Sequence, residues 1–397
     1  MSRGKPMEKR DFIYLDHNAT TPIDPDAVEA MVRVMEEFGN PSCSYELGIR
    51  AKAAVEDSRR RVADLLGCDG EEVIFTSGGS ESNNMVLKGV VDFRSPEKCH
   101  IITSAVEHPA ILNPALFLME LGAEVTFLGV DGAGRVDPEE VRRAIRSDTR
   151  LISIMLANNE TGTLEPIDEI SAIAREREIP IHTDAAQAVG KIPIDVHALG
   201  VDFLSVAGHK LYAPKGIGAL FIRKGRKLTP LIHGAAQERG NRAGTENVIL
   251  SVGLGVACNT AKARLQSDRI MMKEMRDRLE TLLFDGVEGL VLNGHPRERL
   301  PNTLNVSVPG LPGSEILEGI HGLCASTGAA CHGKSVRLSH VLSAMSVSPE
   351  IGMGALRLTV GRSNTMEQID KAAEWIIRRV KEMRNGPSAP DHRHGQG

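Results

Sequence analysis

Aromatic side chains are scarce in this chain: of 397 residues one is Trp, three are Tyr and nine are Phe, 3% in all. Its core must therefore be packed with aliphatic residues. An excess of charge is missing too. The 47 basic residues against 52 acidic ones leave a formal net charge of -5, with no surplus of base to neutralise phosphates, which argues against nucleic acid or an anionic membrane surface as partner. No apolar run approaches the roughly 20 residues that a bilayer span needs. The start, Met1-Ser2-Arg3-Gly4-Lys5, leads into charge instead of an apolar signal core. A cytoplasmic protein handling small molecules and other proteins is expected. The six cysteines, Cys43, Cys68, Cys99, Cys258, Cys324 and Cys331, form no C-x-x-C pair and have no His companion at zinc-finger spacing. No metal site is expected, and most of these thiols read as small buried apolar residues.

What the chain does have is length and alternation. Single cores stop growing near about 250–300 residues, so 397 residues imply two domains. Short β-branched runs at 73–76, 100–103, 125–128, 151–155 and 179–183 each read as a buried strand, and helical patterns at 55–66 and 167–178 lie between them. Strand–helix alternation implies an α/β fold, a mostly parallel sheet covered by helices on both faces. An amphipathic pattern at 261–283 reads as a long helix bridging into a smaller α+β domain. The expected division is a large domain over 14–262, a small one over 263–385 with residues 1–13 near it, and a disordered tail over 386–397, rich in Pro, Gly and His.

Three pieces carry chemistry. The segment Val73-Ile74-Phe75-Thr76-Ser77-Gly78-Gly79-Ser80 runs from a strand through glycines into a helix. Glycines admit an anion to the backbone, Ser80 adds a hydroxyl and the helix dipole favours negative charge, so this is a candidate phosphate cradle. Ile181-His182-Thr183-Asp184 places an acid at the C-terminal end of an apolar strand, the edge where open α/β sheets bind ligands. Ser205-Val206-Ala207-Gly208-His209-Lys210 places a lysine just after a further strand. Taken singly, these are a helix cap, a capping Asp and a surface lysine. Together they supply what pyridoxal 5'-phosphate (PLP) needs: a phosphate cradle, an acid for the pyridine nitrogen and an amine for a Schiff base.

At these residues the chain resembles the cysteine desulfurases and selenocysteine lyases, PLP enzymes of fold type I in the class V aminotransferase group. The likeness runs from Tyr14-Leu15-Asp16-His17-Asn18-Ala19-Thr20-Thr21 to Ala355-Leu356-Arg357-Leu358, through Val106-Glu107-His108, Asn158-Asn159-Glu160-Thr161-Gly162, Ala243-Gly244-Thr245-Glu246-Asn247 and Ser326-Thr327-Gly328-Ala329-Ala330-Cys331. The resemblance implies that Lys210 holds PLP, Asp184 pairs with the ring nitrogen and Gln187 contacts the ring hydroxyl. Gly79, Ser80 and His209 would hold the phosphate, with Thr245 reaching it from the partner subunit of a homodimer. His108 would stack on the ring. Asn159 would meet both the cofactor and the substrate and Arg357 the substrate, Arg357 through a planar fork suited to a carboxylate. Cys331 would be the nucleophile that takes sulfur or selenium from cysteine or selenocysteine, leaving alanine, before transfer to an acceptor protein. His332 and Lys334 stand beside Cys331, where their charge would favour the thiolate, although His332 reads equally well as an exposed and inert residue.

The chain departs from the family at Ala207, where a hydroxyl is common, and at Ala235 and Ala236, where glycines are usual. Tyr45 and the Gly78–Asn84 block look closer to selenocysteine lyases; Arg242-Ala243-Gly244-Thr245-Glu246-Asn247 looks closer to the nitrogen-fixation desulfurases. Fold alone does not fix the reaction. Another class V aminotransferase or lyase would not need Cys331, and a noncatalytic scaffold would need none of Lys210, Asp184 and Cys331.

Overall fold

The computed structural model describes residues 12–91, 93–327 and 338–385. Cys331, His332 and Lys334, and the 386–397 tail expected to be disordered, lie outside the described residues. The strands, in chain order, are β1 (Ile13–Tyr14), β2 (Val73–Thr76), β3 (His100–Ser104), β4 (Glu124–Leu128), β5 (Thr149–Ser153), β6 (Ile181–Asp184), β7 (Phe203–Ala207), β8 (Gly218–Ile222), β9 (Val291–Leu292), β10 (Thr303–Ser307), β11 (Leu323–Cys324) and β12 (Ala355–Thr359).

β2 to β8 form one seven-stranded sheet in the order β2-β8-β7-β6-β5-β3-β4. β8 alone runs against its two neighbours, so the other six point the same way. The alternation of side chains explains why these runs read as uniformly apolar: Ile101, Leu151, Phe203 and Leu220 pack on one face, while Ile102, Ile152, Leu204 and Phe221 pack on the other. Both faces are covered, so both sets must be apolar. β4 departs from the expected full burial. It is the last strand of the sheet, and Glu124 is exposed while Val125 to Phe127 are half-buried.

The helix expected at 261–283 spans Val248–Gly286. Its first half escapes a periodicity reading because it is apolar nearly all round, enough in composition to cross a bilayer, yet it packs against the Pro25–Val34 and Glu46–Leu66 helices. Leu254, Ala257, Cys258 and Ala261 are fully buried there. Close approach requires Gly255, where a Cβ would lie 2.7 Å from the Ser58 Cα. The Glu46–Leu66 helix starts before the expected residue 55 because Ile49, on its first turns, faces outward and breaks the amphipathic pattern.

A second core gathers the other half of that long helix (Met272, Met275, Leu279), the antiparallel β9-β10-β12 sheet and the Met366–Asn385 helix. Ile13 and Leu15, from the opposite end of the chain, pack into this core. β1 pairs in parallel with β11, and the next residues reach Thr359: the amide of Asn18 donates to the Thr359 hydroxyl at 3.0 Å. The chain's beginning is thereby stitched between the two cores.

Candidate active site

The C-terminal ends of β2, β3, β5, β6 and β7 lie on one edge of the sheet, and the residues that follow them converge on a cavity of about 320 Å³. Its wall contains Gly79, Ser80, Asn83, His108, Asn159, Asp184, Gln187, Ala207, His209 and Lys210. A larger surface groove of about 970 Å³ lies between Arg278, Asp370 and Lys381, and brings none of these groups together.

The turn into the Gly79–Gly89 helix is set by Gly78, at φ 152° and ψ 179°, a region open essentially only to glycine. The first-turn amides beyond it have no helical partner. β8 presses directly against this turn: a Cβ at Gly218 would lie 2.5 Å from the Val206 carbonyl oxygen and 2.7 Å from the Gly78 Cα.

Asp184 ends β6, and each of its carboxylate oxygens accepts one hydrogen bond, from the Ala186 amide at 2.9 Å and from Asn83 Nδ2 at 2.7 Å. Two residues earlier His182 spans three strands, its ring nitrogens within 2.8 Å of Ser153 Oγ and 3.0 Å of Ser205 Oγ. Burial pushes its pKa down to about 4, so it is neutral. Behind the wall lies Glu107, fully buried, which accepts from Ser104 Oγ and the Met155 amide, both at 2.8 Å. Burial raises its pKa well above the usual carboxylate value, and the Met155 and Ser104 bonds only partly oppose this.

Lys210 follows β7 on a single turn of 3-10 helix, Gly208–Lys210. Among the described residues its amine meets carbonyls and no carboxylate: it donates to the Asn18 carbonyl and, at 3.0 Å, to that of Ala19. Burial first, then the Arg357 guanidinium, brings its pKa down to about 8. Beneath it lies a polar network that sequence reasoning missed. Gln187 Nε2 donates to the same Asn18 carbonyl at 3.0 Å, and Gln187 Oε1 accepts from the buried Lys191 Nζ at 2.8 Å. Lys191 also reaches Asn18 Oδ1 at 3.2 Å, and Asn302 Nδ2 reaches that atom at 3.1 Å. Burial drives the Lys191 pKa far below that of a solvated amine, with Lys210 and Arg357 adding to the effect.

A scan against family models matches the class-V aminotransferase family over residues 13–372. The chain belongs to that family. Within it, the chain is similar to proteins named cysteine desulfurase. It is 48% identical to cysteine desulfurase IscS of Methanosarcina thermophila over 382 residues, covering 94% of this chain and 93% of that one. It is 41% identical to the mitochondrial cysteine desulfurase of Arabidopsis thaliana, covering 94% and 83%. Among solved structures, a NifS-like protein superposes with a TM-score of 0.87 at 37% identity, covering 93% of this chain and 99% of that one. The structure titled SspA in complex with cysteine superposes with a TM-score of 0.77 at 35% identity, covering 89% and 99%.

The family's cofactor is PLP, and the cavity fits it on observations independent of the likeness. Asn159 Oδ1 is buried in the wall without a hydrogen-bond partner. Gly79 leaves space that a Cβ would take up, at 3.3 Å from the Ala207 Cβ. A lysine without an acid partner faces a carboxylate already oriented by two donors.

Not every expected residue is in the wall. Arg357 stands behind Asn159, donating to its carbonyl at 3.2 Å and to Asp16 Oδ1 at 2.7 Å, while its Nε has no partner. The fork expected to be free for a carboxylate is thus half engaged by Asp16. Thr245 is exposed and does not line this chain's own cavity. Ala235 and Ala236 are exposed and avoid positive φ, which falls instead on Glu238 (46°) and Arg239 (57°). Neither alanine stands where glycine's freedom is needed. The buried Arg59–Glu238 pair, 2.5 Å apart, holds that loop against β2, where Glu238 also accepts from the Phe75 amide at 3.0 Å.

Proposed function

We propose that this chain is a PLP-dependent cysteine desulfurase that takes sulfur from L-cysteine, releases L-alanine and holds the sulfur on Cys331 before an acceptor protein receives it. The observation that carries the reading is the meeting of the Gly79–Ser80 turn, Asp184 and Lys210 in one cavity at one sheet edge. Bound PLP would withdraw electrons from the substrate's α-carbon. Gly79, Ser80 and His209 would hold its phosphate, Asp184 its ring nitrogen, Gln187 its ring hydroxyl, and His108 would cover one face.

The protein's own groups then have distinct tasks. Lys210, with a pKa near 8, has a neutral fraction at physiological pH able to accept the proton from the substrate's Cα. Asn159 and the unpartnered Nε of Arg357 would hold the amino acid in place. The thiolate of Cys331 attacks the substrate sulfur, forming an S–S bond as the Cβ–S bond breaks. The electron pair stays with Cβ, which gains a proton, Cα regains one from the Lys210 ammonium, and alanine leaves. The relatives' names and the cysteine-bound structure favour sulfur. The same groups would act on selenocysteine, whose selenol is the better leaving group.

The reading includes a cytoplasmic homodimer. Thr245 is exposed and does not line its own subunit's cavity, and an apolar strip of Val28 (42% exposed), Val32 (58%), Met35 (58%) and Phe38 (81%) faces outward. A second copy of the chain would cover it.

The test is to give purified wild-type and Cys331→Ala proteins L-cysteine and measure alanine, sulfide and the spectral change on binding. The wild type should release alanine and, with a thiol reductant, sulfide. The variant should bind L-cysteine and release almost no sulfide. Sulfide at the wild-type rate from the variant would remove Cys331 from the mechanism, and no alanine from the wild type would end the desulfurase reading. Parallel assays with L-selenocysteine rank the two substrates.

A further inference from the structure

The Gly79–Gly89 helix does more than offer its N-terminus. Asn83 lies four residues after Gly79, on the same helical face one turn along, and both line the cavity. Its side chain is completely buried, and its Nδ2 donates to Asp184 Oδ2 at 2.7 Å while its own Oδ1 has no partner. A buried amide with an unsatisfied oxygen is costly, and is retained where its other end makes a bond to a charge. Among the described residues the only other donor to the carboxylate is the Ala186 amide, which is fixed by the backbone turn.

We propose that Asn83 is the positioning residue for Asp184. It holds one carboxylate oxygen while Ala186 holds the other, so the group stays in one orientation for the ring nitrogen of the cofactor. This rests on the PLP reading above. The helix thereby serves two parts of one ligand, its first-turn amides the phosphate and its second-turn side chain the acid at the ring. An amide suits this position because it donates without a titratable proton. A carboxylic acid at 83 could donate only while protonated. The ionisable groups that share the field of Asp184 are Glu107, His108, His182 and Lys210, and none of them gives it a hydrogen bond.

The experiment strips PLP from wild type, Asn83→Ala, Asn83→Ser and Asn83→Asp proteins and titrates it back, recording Kd and the visible spectrum of the bound cofactor from pH 6 to 9. Asn83→Ala should bind PLP about tenfold more weakly, the scale of one lost hydrogen bond to a charged group. The pH at which its bound-cofactor band changes should shift from that of the wild type. Asn83→Ser, with a hydroxyl donor, should recover part of the affinity. Asn83→Asp should approach wild type at pH 6 and weaken steeply towards pH 9, as two carboxylates come to share the site. Should Asn83→Ala fail to fold, the Ser and Asp variants decide. Wild-type affinity and spectrum in Asn83→Ala, or an Asn83→Asp protein whose affinity follows pH as the wild type's does, would overturn the assignment. A wild type that takes up no PLP fixable to Lys210 by borohydride would instead overturn the parent reading, and this one with it.

Discussion

At the scale of single residues, the chemistry of Lys210 follows from its surroundings. A lysine in water stays an ammonium to above pH 10. Here burial and the Arg357 charge bring the pKa down to about 8. The sign is fixed: below pH 8 the ammonium has no lone pair to offer, and above it the amine does. In PLP-free protein the rate at which Lys210 condenses with added PLP should therefore climb from pH 6.5 to 8.5 and then level. A rate flat across that range in stopped-flow absorbance would show that Lys210 is not the titrating group. Lys210 and Asp184 were legible in the sequence because PLP chemistry demands an amine and an acid, and their places after apolar strands are visible. Asn83, Asn18 and Lys191 were not. Each acts through another side chain or a carbonyl, and nothing in residue type or spacing distinguishes a buried amide holding a carboxylate from one on a helix surface.

At the scale of elements, β-branched runs located the parallel strands, and the helical pattern read over 167–178 is the Ile167–Glu176 helix, which stops where Glu178 turns to φ 56°. β8 went unread. Gly218-Ala219-Leu220-Phe221-Ile222 resembles its neighbours in composition, and direction is not written in a strand's pattern. Yet β8 is what backs the phosphate turn, since Gly218 lies against Gly78. Gly218→Ala should push that turn outward. Overpacking of this kind costs about 1–3 kcal/mol, so the melting temperature should fall, and PLP affinity should weaken about tenfold, which is 1.4 kcal/mol. An unchanged Kd for PLP would mean that the turn adjusts freely and that its close backing is irrelevant to binding.

At the scale of the whole molecule, the exposed strip on and after the Pro25–Val34 helix sets the expected assembly. Val32→Glu with Met35→Glu places two charges on it without touching the cavity wall. Sedimentation should show a dimer for wild type and a monomer for the double variant, with faster loss of PLP from the monomer as the partner's Thr245 is withdrawn. A double variant that stays dimeric would move the interface elsewhere. The fold class was legible at this scale because both faces of the sheet demand apolar residues. The stitching of the chain's start to its end was not, since pairing of β1 with β11 and of Asn18 with Thr359 leaves no local signature.

That stitching has a consequence for how the protein is made. Asn18, whose carbonyl receives both Lys210 and Gln187, leaves the ribosome well before its partner Thr359, which is 341 residues behind it. At about 5–20 residues per second that interval is roughly 20–70 seconds. Through it the seven-stranded sheet can assemble while the floor of its ligand site waits unpinned. The nascent enzyme thus passes through a stage in which its architecture is nearly finished and its capacity to capture a cofactor is not, and translation stopped between β8 and β12 leaves it at that stage.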